Sequence, residues 1–177
     1  MTKKINWLFL VAGTFIMMYI MAVTGRSLYT SETPRGIVDL EFAYNNARTQ
    51  AVLDAWSPVN SNGIDNIKVA IKNTWLDFIF LFFYSLFLFY CCKSISESYE
   101  GFINKLGTFF AMGALNAGLL DIGENAGMLI TLNGFPSGSI SLLTAIFSVI
   151  KWSLALAALA YIIIAGFSLL FKKKDRI

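Results

Sequence analysis

The stretch GALNAGLLDIGENAGMLITL, from Gly113 to Leu132, is apolar enough to lie in lipid, yet it carries Asp121, Glu124 and Asn125. Their spacing is i, i+3, i+4, so in a helix all three leave one face. Two carboxyls and an amide on one face can hold a cation, share a proton or accept hydrogen bonds from a ligand. An ionised carboxylate in hydrocarbon costs several kcal/mol, so this face must meet protein or water. Two more charges interrupt otherwise apolar runs: Asp77 in LDFIFLFFYSL and Lys151 in IKWSLALAALAY. Three acids against one base can form a binding site, a proton site or an acid–base pair. They can equally form a network that fixes helix packing.

These residues need a scaffold, and the hydropathy supplies it. Of 177 residues, 56% are hydrophobic and only 14% charged. The apolar residues gather into four long runs at about 6–24, 75–92, 106–132 and 140–171. A bilayer-spanning helix needs about 20 residues at about 1.5 Å each. The expected fold class is therefore an all-α membrane protein, a four transmembrane helix bundle in a single domain over 1–177. The last run has no Gly/Pro turn or polar loop inside it and counts as one span. The first run, after MTKK, has the look of a leader, but its core is long and AVTGRS is a poor cleavage site. It is expected to be a retained helix.

Lys3, Lys4, Lys93, Lys105, Lys172, Lys173, Lys174 and Arg176 share one side if there are four spans. By the positive-inside rule both termini are cytoplasmic. The loop over 25–74 is then extracytoplasmic. Counting from the cytoplasmic ends of the runs, Asp121 and Asp77 lie about 22 Å up, Glu124 about 27 Å and Lys151 about 30 Å. All four reach the outer third of the bilayer, near the level of Tyr19, Trp75 and Trp152.

The loop has structure of its own. IVDLEFA alternates, with Val38, Leu40 and Phe42 opposite Asp39 and Glu41, which predicts a short strand or extended segment. NNARTQAVLDAW follows, with Asn45 as N-cap and Thr49, Val52, Leu53 and Trp56 on one face of a short amphipathic helix. SPVNSNG ends it. The loop either lies on the membrane surface or serves as a lid over the polar cluster, with Glu41 and Trp56 as lid residues.

Much is excluded. A net charge of +3 does not point to nucleic acid. With no histidine, most zinc sites and a haem histidine ligand are gone. Cys91 and Cys92 are adjacent, with no CxxC for redox exchange. No phosphate-binding or nucleophile-elbow motif stands in a suitable context. No metal and no cofactor is expected. Membrane lipid is the expected partner, with a small-molecule or lipid ligand as a further candidate.

Four strings taken together resemble an uncharacterised bacterial family of four-helix integral membrane proteins. They are TPRGIVDLEFAYNNARTQAVLDAW, LDFIFLFFYSL, LLDIGENAGML and IKWSLALAALAY, and the likeness covers roughly residues 33 to 165. The family pattern falls on Gly36, Ile37, Glu41 and Ala43, on Trp56, on Leu76, Asp77, Phe80 and Tyr84, on Asp121, Glu124 and Asn125, and on Lys151 and Trp152. NNAR stands where the family often has a Thr-Pro-Glu-Arg helix start. The resemblance implies the topology and a shared polar cluster, and no activity. The architecture is also similar to four-helix sterol-isomerase and sigma-2-like proteins, which hold buried acids. Three functions remain open: binding or passing a cationic ligand, lipid headgroup or proton; an intramembrane carboxylate-dependent enzyme; and a scaffold whose buried ions fix packing. In each, Asp77, Asp121, Glu124, Asn125 and Lys151 form the cluster.

Overall fold

The computed structural model describes residues 7–57 and 63–174. Lys3, Lys4, Arg176 and most of the break after Trp56 lie outside these. The described residues are helical, with no strand. In order they form α1 (Trp7–Thr24), a short 3-10 turn (Arg26–Leu28), α2 (Ile37–Glu41), α3 (Asn46–Trp56), α4 (Asn66–Ser96), α5 (Gly101–Leu132) and α6 (Gly138–Lys174). Four of these, α1, α4, α5 and α6, are long and apolar enough to cross a membrane. Helix is the form that lets such runs satisfy every backbone N–H and C=O within lipid. The long helices pack α1 on α4, α4 on α5 and α5 on α6, with α4 also touching α6.

The helices outrun the apolar stretches that announce them. α4 begins at Asn66 and not near 75, and α5 at Gly101 and not near 106. Hydropathy marks only the lipid-facing part, whereas caps and tertiary contacts decide where a helix starts. Asp65 accepts from the Lys68 amide at 3.1 Å, which holds its carboxyl below the ordinary aspartate range. The early turns of α4 bury Asn66, Ala70 and Asn73. Asn73 Nδ2 donates to Met21 O and Thr24 Oγ1, both at 3.0 Å, and so ties α4 to the last turn of α1.

One sequence expectation is corrected. Ile37–Glu41 is a helical turn and not a strand. The alternation in IVDLEFA is too short to separate the two periods, and no neighbouring strand exists to pair with it. Gly36 starts the turn at φ 62°, where a Cβ would lie 2.9 Å from the Tyr29 ring, so only glycine fits. By contrast α3 is as expected. Asn45 Oδ1 accepts from Arg48 N at 2.9 Å, and Thr49, Val52 and Trp56 are buried.

The connecting residues 25–57 fold onto the helix ends. Leu28, Leu40, Val52 and Trp56 pack with Ala70 of α4 and Met128 and Leu132 of α5. The Thr49 and Ser141 hydroxyls meet at 2.6 Å, and Ser148 Oγ donates to Glu41 O at 3.0 Å. These contacts fix α3 and α2, respectively, against α6.

Candidate functional site

Lys151 is the hub. Its ammonium donates to Asp121 Oδ1 at 2.9 Å and to Glu124 Oε1 at 2.8 Å, and lies 3.7 Å from Glu41 Oε2. An ammonium has three protons, and here three carboxylates converge on it. Asp121 and Glu124 present the same face of α5 because they are one turn apart. Lys151 reaches them because α5 and α6 approach closely. A Cβ on Gly127 would collide with Thr144 Oγ1, and one on Gly123 would come within 2.7 Å of the Phe147 ring.

The remaining partners come from α4 and α6. Tyr84 OH donates to Asp121 Oδ2 at 2.8 Å. Asn125 Nδ2 donates to Asp77 Oδ2 at 2.7 Å. Asp77 lies within Coulombic reach of Asp121, Lys151 and Glu41. Trp152 Nε1 donates to Glu41 Oε2 at 3.1 Å. Asp121 is 1% exposed, and Glu124 and Asn125 are 0%. Two buried acceptors in this cluster, Glu124 Oε2 and Asn125 Oδ1, have no hydrogen-bond donor among the described residues.

All five residues expected in the cluster thus meet there. The two lid residues part company. Glu41 reaches in and joins the cluster, whereas Trp56 donates to Leu28 O and Thr33 Oγ1, both at 3.1 Å, and fastens the connecting segment to itself. Of the aromatics expected at this level, Trp152 takes part, but Tyr19 and Trp75 are exposed on the outer surface of the helices. Tyr84 entered the sequence reading only through the family resemblance. Its signal was available: it stands seven residues after Asp77, two turns along the same face. The α6 stripe of Ser141, Thr144, Ser148 and Lys151, all buried, also marks the face that meets the connecting segment.

The arrangement can carry out one kind of chemistry without rearranging. The cluster holds four carboxyls and one ammonium, so it has acidic capacity in excess of its resident cation. The chain matches no protein-family model, no curated protein and no solved structure. A separate shallow pocket of about 250 Å³ lies on the connecting segment, among Arg35, Asp39, Phe42, Arg48 and their neighbours. Arg35 is already paired there with Asp39.

Proposed function

We propose that this chain is a four-helix bundle of the bacterial cytoplasmic membrane whose buried carboxyl cluster binds protons reversibly. The termini are cytoplasmic and the connecting segment is extracytoplasmic, in keeping with the Lys93 and Lys105 side of the molecule. The observation that carries the reading is the charge count: Glu41, Asp121 and Glu124 lie within 3.7 Å of Lys151, and Asp77 joins them through Asn125. At most one carboxylate is balanced by that cation. Each further one, if ionised, is an uncompensated buried charge costing several kcal/mol. Such a site is neutralised by a proton or by another cation. The near-complete enclosure of Asp121, Glu124 and Asn125 favours the proton, which needs no volume. Asp77 is one carboxyl that can carry it, beside Asp121 and Glu124. It accepts the neutral Asn125 amide and has no ion pair among the described residues. The two acceptors without donors add to the excess of acceptors that protonation relieves.

Infrared spectroscopy of the full chain in lipid nanodiscs tests this. A protonated-carboxyl C=O band is expected in neutral buffer, rising and falling over roughly pH 5 to 9. Asp77→Asn should remove part of it. No such band anywhere in that window would leave only a packing network of fixed charge.

A further inference from the structure

Glu41 differs from the rest of the cluster in where it comes from. Asp77, Asp121, Glu124 and Lys151 stand on the long helices, whereas Glu41 ends the short α2 of the connecting segment. At 3.7 Å it is the loosest of the three carboxylates on Lys151, against 2.9 and 2.8 Å for Asp121 and Glu124. Its other partner, Trp152, is 40% exposed. The cluster therefore has one member on the side of the water-facing segment, and that member is held least tightly.

Toward the other end of the helices the packing changes character. Below Asp121, α5 buries Gly118, Ala117, Ala114, Gly113, Ala111 and Gly107 in succession. Leu88 and Cys92 of α4 and Ala158 and Tyr161 of α6 close against them. A Cβ on Gly118 would sit 2.9 Å from Ser85 Cβ and Oγ, so the helices touch through backbone-sized surfaces. The Cys92 thiol and Tyr161 hydroxyl in this layer are each committed to a backbone carbonyl, Ala158 O and Ile103 O. Apart from Ser85, Cys92 and Tyr161, the described buried residues of this layer are apolar, and these three form no continuous chain of hydrogen bonds to the cluster along which a proton could pass.

We infer that the cluster exchanges protons only with the water on the side of the connecting segment, through Glu41, and so reads the acidity of that compartment without passing protons across the membrane. This rests on the proton-binding reading above. A proton from that water adds to the Glu41 carboxylate. Lys151 gives one of its own protons to Asp121 or Glu124 and regains one from Glu41. One carboxylate is neutralised for each proton taken up, and release retraces the steps to the same water. The groups facing Glu41 are Lys151 and Trp152 of α6, Glu124 of α5 and, farther off, Asp77 of α4. Tyr19 of α1 and Arg48 and Asp54 of α3 are exposed, and Asp39 of α2 is engaged by Arg35.

The test uses the full chain in liposomes of uniform orientation, verified by labelling a cysteine placed at Ser57. The carboxyl band is followed after a pH jump on one side at a time. It should respond to a jump on the connecting-segment side and ignore one on the far side. Glu41→Gln should slow the response of the other carboxyls by at least about tenfold, as loss of a positioned proton carrier does. Glu41→Asp should keep most of the rate. A response to the far-side jump, or an undiminished rate in Glu41→Gln, overturns the inference while leaving proton binding intact. If Glu41→Gln does not fold, the sidedness in the unaltered chain still decides. Absence of the band altogether sinks the proton-binding reading and this inference with it.

Discussion

Lys151 and Asp121 are not equivalent halves of a pair, and their replacement should separate them. Asp121 shares its ammonium with Glu124 and Glu41, and its second oxygen holds Tyr84 OH. Asp121→Asn keeps the volume and an acceptor for Tyr84, and leaves Lys151 with two carboxylates. It should cost only about 1 kcal/mol. Lys151→Met leaves four carboxyls without a cation and should cost about 3–5 kcal/mol. Adding Glu124→Gln to Lys151→Met should return part of that loss, because contacting charges are not independent. Thermal melts of the variants in one detergent give the ranking. Equal losses for Asp121→Asn and Lys151→Met would mean a simple two-residue ion pair. The convergence itself was legible in the sequence, since lone charges in apolar runs must find one another in lipid. What was not legible was the role of Glu41. In a polar loop its charge carries no such compulsion, and only the contact of α2 with α6 turns it inward.

At the scale of elements, the cluster depends on how near α6 lies to α5. Gly127 faces Thr144 with no room for a methyl group, and this contact lies two turns of α6 above Lys151. Gly127→Ala should push the helices apart, costing about 1–3 kcal/mol through overpacking. It should also lengthen the Lys151 contacts to Asp121 and Glu124. Thr144→Ala, which removes the obstructing hydroxyl and methyl, should restore stability in the double variant. Denaturant unfolding of the four chains closes that cycle, and additive losses would show that the two residues do not touch. Long helices were the easy part of the sequence to read, because about 20 apolar residues in succession have few alternatives. Their ends and the short α2 were not. Caps such as Asp65 act over three residues, and five residues of α2 carry too little periodicity to tell a turn from a strand. The glycines of α5 read as helix weakeners in isolation, and only the neighbouring helix shows that Gly127 and Gly118 admit Thr144 and Ser85.

At the scale of the whole molecule, the length of the helices sets what the bilayer can cover. α4 has 31 residues and α5 has 32, about 46 to 48 Å at 1.5 Å per residue. The hydrocarbon core is about 30 Å thick, so each helix must project from it. At one end the projecting turns are α4 from Asn66 and the last turns of α5, wrapped by the connecting segment through Trp56, Leu28 and Leu132. At the other end lies the tight turn between α4 and α5, with Lys93 and Lys105 beside it. Charge predicts which end faces the cytoplasm, because lysines and arginines next to spans resist translocation. The opposite end also bears Arg26, Arg35, Arg48, Lys68 and Lys72, but Arg35 is paired with Asp39 at 2.6 Å and Lys68 with Asp65 at 3.2 Å, and Glu32 and Asp54 stand nearby in the chain. The α4–α5 turn should therefore be cytoplasmic. Single cysteines at Ser57 and at Ser98, both exposed, test this in a chain whose Cys91 and Cys92 are replaced by alanine. A membrane-impermeant maleimide applied to intact cells should modify the Ser57 position and leave the Ser98 position unmodified until the membrane is opened. The opposite pattern would invert the molecule, and the cluster would then face the cytoplasm through Glu41. Modification of both positions in sealed cells would mean that α4 does not cross the membrane at all, and the reading of Asp77 as an intramembrane carboxyl would go with it.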